Sequence, residues 1–275
     1  MFSLVFFGSF QDYSLEVLKT LHKHPNFTIK GVISTPPRPG NRGLIQKTAV
    51  HQYSKLKKLP LFPLENLDQI PDTLKDSSPD FLLVAGYGQL IPSPWLSLPR
   101  FEALNIHPSL LPHYPGRFPA EWAILRQETQ TGVTLLKLSS RFDKGEIAAQ
   151  STIPILPTDT RKTLYQKLFR LGAKLTIDTL PKIAKGEIKF KPQPQGKYFY
   201  ARQLTRLDGF LPWDSLWKNL SSPKISRLLR ALSPWPGVWT LSPRKKRLKL
   251  LSLDPPIVQL EGKKPVAWDQ IRNEI

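Results

Sequence analysis

The chain is 275 residues long, 40% hydrophobic and 22% charged, which is enough apolar matter for a real core and excludes a disordered polymer. It contains no cysteine, which excludes disulfide staples, thiolate metal sites and a cysteine nucleophile and fits a reducing, cytoplasmic compartment. Forty Lys and Arg against 21 Asp and Glu leave a net charge of +19, a field that suits a polyanionic partner or else simply solvates the surface.

Residues 3–7 are a short apolar run ending at Gly8, with no basic residue before it, and every longer apolar stretch is cut by Gly or Pro. Neither a signal peptide nor a membrane span is expected. Asp12 then precedes Leu15, Leu18 and Leu21 at helical spacing, and Thr28 to Ile33 is β-branched and apolar, which reads as strand, helix, strand. The pattern recurs with a helix over Thr48 to Leu56 and buried strands over Phe81 to Ala85 and Ala103 to Ile106. An α/β fold follows, with an open, mostly parallel Rossmann-like sheet covered by helices.

A helix beginning near Pro119 leads to extended segments at Val133 to Leu138 and Glu146 to Ile153, then to a long helix from Asp159, its expected N-cap, to Ala184. Lys185 to Lys197 is rich in Lys, Pro and Gln and reads as a linker. Three divisions are expected on this basis: a first domain over 1–185, a linker over 186–204 and a short basic domain over 205–275. The last 80 residues carry 15 Lys and Arg against six Asp and Glu, a denser charge than the rest. There Lys224 to Leu232 reads as a basic helix stopped by Ser233-Pro234, and the pieces around Trp239 and Leu248 to Leu253 as strands of a small β-rich module.

In open α/β sheets ligands bind beyond the carboxyl ends of the strands. Asn105 and His107 stand there, two residues apart on one face, before the Pro108-Ser109-Leu110-Leu111-Pro112 turn. Asp143 lies in Phe142-Asp143-Lys144-Gly145-Glu146, a turn between two strands in which Gly145 can take a positive φ. An amide, an imidazole and a carboxylate suffice to move an acyl group onto an amine. The amide steadies the oxyanion, the imidazole moves protons and the carboxylate orients it. Taken singly, a strand-end His and a turn Asp are more often structural.

The combination of Asn105 to Pro112, Gly116 and Phe142 to Gly145 resembles the active-site signature of the formyltetrahydrofolate-dependent formyltransferases. The resemblance extends to Val84 to Pro92, Thr131-Gly132-Val133-Thr134, Gly8-Ser9 with Asp12-Tyr13-Ser14, Arg38 to Gly43 and Ser233 to Gly237. It is strongest to the members that act on methionyl initiator tRNA. It implies formyl transfer from 10-formyltetrahydrofolate to the methionyl α-amino group, with Asn105, His107 and Asp143 catalytic. Gly86, Tyr87, Gly88, Gln89, Leu90, Ile91, Ser109, Leu110, Leu111 and Pro112 would line the folate. The 205–275 module would be an OB-like tRNA-binding domain.

For the tRNA, Arg38, Arg42 and Lys47 are expected to meet phosphates from a loop of Pro and Gly. The run Arg244, Lys245, Lys246 and Arg247 fits either RNA contact or a hairpin turn kept soluble by charge, and Trp235 and Trp239 fit core better than base-stacking platforms. Neither a dinucleotide fingerprint nor a P-loop occurs, and five histidines without metal spacing give no reason to expect a metal. A monomer without membrane attachment is expected. Three alternatives stay open: formyl transfer to an amino sugar nucleotide, a non-catalytic RNA-binding relative, and a formyltetrahydrofolate hydrolase with water as acceptor, which would leave the +19 charge unexplained.

Overall fold

A computed structural model describes residues 1–40 and 44–271. β1 (Phe2–Phe7) has its last four residues wholly buried, as befits a strand covered on both faces. α1 (Gln11–Lys23) buries Tyr13, Val17, Leu18 and Leu21, one helical stripe, and β2 (Phe27–Ser34) returns beside β1. β3 (Arg38–Pro39) and β4 (Ile45–Gln46) pair antiparallel as a small hairpin. α2 (Ala49–Leu56) is capped by Thr48, whose side chain accepts from His51 N, and is followed by β5 (Leu61–Pro63) and α3 (Asp72–Lys75). β6 (Phe81–Ala85) is buried throughout, and α4 (Ser93–Leu96) and β7 (Glu102–His107) complete the parallel part.

β8 (Gln130–Lys137) runs antiparallel to β7, and β9 (Ile147–Pro154) closes a seven-stranded sheet of order β5-β2-β1-β6-β7-β8-β9. β1 pairs in parallel with both β2 and β6. The chain's winding therefore reverses between β1 and β6, and the crevice beyond the carboxyl ends of these strands is where such a sheet admits a ligand. Phe7, Tyr87 and Trp95 pack edge to face beneath it, with ring centroids 5.4 and 5.1 Å from Phe7. Trp95 spends its indole N–H on the Leu67 carbonyl, so this bulky side chain is buried without leaving a donor unpaired.

The chain divides into two compact units: Met1–Pro115, Thr131–Ile153 and Tyr165–Tyr200 form the first, and Gly116–Gln130, Pro154–Leu164 and the residues from Ala201 on form the second. In the second, α5 (Pro119–Leu125) packs against α8 (Pro223–Leu232). The reason is electrostatic as well as apolar. Glu121 is fully buried and meets Arg161 Nε at 3.2 Å, while Arg161 also donates to the Trp235 carbonyl and Arg230 to the Asp159 carbonyl. Buried charges of this kind must be paired; the ion pair joins the two early segments, and the two arginine–carbonyl bonds fasten the second of them to the later chain.

α6 (Arg161–Ala184) begins two residues beyond Asp159, so its cap falls on Thr160, one residue beyond the expected one. Thr160 Oγ1 accepts from Thr163 N, whereas Asp159 turns back to take the Leu156 N–H and the Thr163 hydroxyl. The second unit goes on with a 3-10 turn at Arg206–Gly209 and α7 (Trp213–Trp217). β10 (Val238–Leu241), β11 (Arg247–Leu253), β12 (Pro256–Leu260) and β13 (Val266–Ala267) form an antiparallel sheet in sequential order before α9 (Trp268–Ile271). Trp217 and Trp268 stack 3.7 Å apart, and Leu216, Ile225, Val238, Leu248 and Val258 fill the core. Among the described residues no helix is long and apolar enough to cross a membrane.

Candidate active site

The site starts from strand alternation. Asn105 and His107 project to one face of β7, and His107, at 4% exposure, is held between β6 and β8 at the carboxyl edge. The loop after β7 is pinned by buried hydroxyls. Ser109 Oγ donates to the His113 carbonyl at 2.6 Å, and Thr134 Oγ1 donates to the Ser109 carbonyl at 2.7 Å. The same Thr134 oxygen accepts from Leu111 N and from Gln150 Nε2, which also donates to the Leu111 carbonyl. Every hydrogen-bonding site of that hydroxyl is used, so the backbone of the loop at Ser109 and Leu111 is held in place.

Asp143 reaches the site from the turn between β8 and β9. Its Oδ1 lies 3.3 Å from His107 Nδ1, with both side chains nearly buried, and on the other side Nε2 is 3.0 Å from the Tyr114 carbonyl. A carbonyl only accepts and an ionised carboxylate only accepts, so both ring nitrogens face acceptors and the charged imidazolium satisfies both. Burial pulls the His107 pKa down, but the Asp143 charge and hydrogen bond, with the Tyr114 carbonyl, outweigh it and leave the group raised above its ordinary value.

The positive φ that Gly145 could take falls instead on Asp143, at 55°. Gly145 is needed for a different reason: a Cβ there would stand 1.7 Å from the Lys137 carbonyl oxygen. Gln193 is a site residue that sequence reasoning missed. It lies in the Lys- and Pro-rich stretch read as a linker, yet its Nε2 donates to the Asp143 and Gly145 carbonyls, each at 2.8 Å, and nearby Lys191 pairs with Ile147. No local pattern marks it, because its partners are some 50 residues away. Gln193→Ala is expected to lower kcat about tenfold, the cost of about 1.4 kcal/mol in two hydrogen bonds, with the donor KM little changed. Steady-state kinetics beside a thermal unfolding curve check this.

The expected folate-lining residues divide. Gly86 follows β6 at φ 68°, where a Cβ would meet Phe10 Cβ at 2.6 Å, Gly88 and Leu90 are exposed, and Gln89 Nε2 turns to the Glu65 carbonyl. Tyr87 and Ile91 belong to the core below. Leu110 and Pro112 are half-buried. Of the residues expected to meet tRNA, Arg38, which opens β3, and Lys47, which follows β4, are exposed, and Arg42 lies outside the described residues. Arg244, Lys245 and Lys246 form the exposed turn between β10 and β11, whereas Arg247 has entered β11 and pairs with Glu261 at 3.1 Å. Trp235, expected in the core, is instead 42% exposed.

A model of the formyl transferase family matches residues 2–180, and one of the formyl transferase C-terminal domain matches residues 216–265. The chain belongs to the formyl transferase family. The curated methionyl-tRNA formyltransferase of Dictyoglomus thermophilum is 36% identical over 251 residues, covering 90% of this chain and 78% of that one. Among solved structures, an N-formyltransferase from Helicobacter canadensis in complex with folinic acid and dTDP-3-aminofucose has a TM-score of 0.63 and 20% identity. That likeness covers 91% of this chain and 87% of that one. HypX from Aquifex aeolicus has a TM-score of 0.68 and 17% identity over 91% of this chain, which spans 39% of the HypX chain. A formyl transferase moves a one-carbon acyl group, and the amide and imidazole at the end of β7, with the carboxylate from the β8–β9 turn, are groups suited to that reaction class.

Proposed function

We propose that this formyl transferase carries the formyl group of 10-formyltetrahydrofolate to the α-amino group of methionyl initiator tRNA. The single observation that carries the chemistry is the His107–Asp143 contact at 3.3 Å, at the carboxyl edge of the strand that bears Asn105. The residues fit a folate-type co-substrate. Ser9 Oγ and Tyr87 Oη, just beyond β1 and β6 at the winding reversal, are buried with no hydrogen-bond partner among the described residues. Buried hydroxyls left in that state suit a ring with a hydrogen-bonding edge.

The donor supplies the formyl carbon. Asn105 donates its amide N–H to the carbonyl oxygen as that oxygen becomes anionic, and the His107 imidazolium adds a positive charge nearby. His107, charged at the outset, gives its proton to the departing nitrogen and is recharged by the proton that the attacking amine gives up, with Asp143 holding the ring in place. No side-chain nucleophile is required, because the amine attacks directly. The tRNA acceptor is supported by the +19 charge and by the methionyl-tRNA formyltransferases of similar sequence. Arg38, Arg42, Lys47 and Arg244 to Arg247 are its proposed phosphate contacts.

A second reading, an amino sugar nucleotide as acceptor, is favoured by the Helicobacter canadensis protein, which bears such a nucleotide on the same fold. An acceptor competition separates the two. The purified chain is given the folate donor with charged initiator tRNA, charged elongator tRNA and amino sugar nucleotides, and products are resolved by mass. Formylated initiator tRNA as the dominant product is expected; a formylated sugar would replace the first reading by the second.

A further inference from the structure

The second unit has a cavity of about 250 Å³ outside the site described above, whose lining includes Arg206, Trp235, Trp239, Arg247, Lys249 and Glu261. One aromatic wall is fixed. Trp239 spends its indole N–H on the Arg206 carbonyl at 2.8 Å and rests against Phe210, so it has only a ring face to offer. Trp235 stands between two prolines, and its large apolar ring is open to solvent at a cost that a ligand would remove. The cations are of two kinds. Lys249 folds over Gly237 and donates to the Pro234 carbonyl, and Arg247 is paired with Glu261. Arg206 is exposed on the 3-10 turn and has no ion-pair partner among the described residues.

We propose that this cavity is a subsite for a single unpaired nucleotide of an RNA, its base on Trp235 and Trp239 and its phosphate on Arg206. The size excludes a duplex and suits one base. Flat π-faces beside guanidinium groups select a stacked base flanked by an anion, and three cations against one carboxylate complete the charge match. The proposal rests on the reading that the acceptor is an RNA, and it adds that recognition includes an unstacked nucleotide as well as helical phosphates.

The test uses the full chain, fluorescence anisotropy and two probes, a short single-stranded oligoribonucleotide and charged initiator tRNA, at a series of salt concentrations. Trp235→Ala is expected to weaken oligonucleotide binding about tenfold or more without changing the slope against salt, because a stacking contact releases no counterions. Trp235→Phe retains a π-face and is expected to restore most of the loss. Arg206→Gln should instead reduce the slope by about one. Because both side chains are exposed, unfolding midpoints should match the parent's. If the parent binds tRNA and Trp235→Ala binds both probes as tightly, or if Trp235→Phe is as weak as Trp235→Ala, the subsite is overturned and the acceptor reading stands. If the parent binds neither RNA, both fall.

Discussion

His107→Ala is expected to reduce turnover by about 10²–10⁴-fold, the usual contribution of a positioned proton carrier, while donor and acceptor still bind. The ring sits between the Asp143 carboxylate and the Tyr114 carbonyl, and its charged form is what that geometry stabilises. Asp143→Asn tests the coupling more sharply. Losing the carboxylate removes the charge and the hydrogen bond that hold the imidazole pKa up, and leaves the burial that pulls it down. The limb of the kcat profile tied to the imidazole should therefore move to lower pH, and a proton titration of His107 should move with it. Stability follows the same sign. A raised folded-state pKa contributes stability that is complete below about pH 6.5 and is lost as pH rises through the raised value, so parent and Asp143→Asn should converge in stability at alkaline pH. Unchanged turnover in both variants would remove these residues from the mechanism.

The parts of this molecule that were legible in its sequence are those whose cause is local. Phe81 to Ala85 is apolar at every position and is a strand buried on both faces; Gly8 and Gly86 mark the ends of β1 and β6, at the crevice itself. Asn105 and His107 share a face because a strand alternates, whatever surrounds it. Illegible features have partners far along the chain. Gln193 looks like a linker residue and is a brace for the Asp143 turn; Glu121 and Arg161, a buried ion pair, join two early segments of the second unit, and Arg230 bonds the Asp159 carbonyl 71 residues before it. The Asp143 turn shows the same limit at close range. A glycine in a turn predicts freedom of φ, yet here the strained backbone is at the aspartate, which points the carboxylate at His107, and the glycine supplies thinness.

That thinness makes Gly145→Ala the substitution with the second largest expected effect. The added methyl would lie 1.7 Å from the carbonyl oxygen of Lys137, and its neighbours are backbone atoms of the last residue of β8. No flexible side chain can swing aside, so either the strand end or the turn must shift by more than an ångström. Moving the strand end strains the Lys137 amide, which donates to the Glu146 carbonyl at 2.8 Å; moving the turn carries Asp143 away from His107 and pulls on both bonds from Gln193. A loss of about 3 kcal/mol is expected in urea unfolding, the upper range for forcing a group into packed space, with an unchanged m-value. Turnover should fall about 100-fold in the fraction that remains folded, because an ångström of displacement at a catalytic carboxylate costs that much. Lys144→Ala, an exposed position in the same turn, controls for the sequence change alone and is expected to match the parent in both measurements. Parent-like stability and turnover in Gly145→Ala would mean that the turn yields without moving Asp143, and that the close approach of the turn to β8 does not set the geometry of the site.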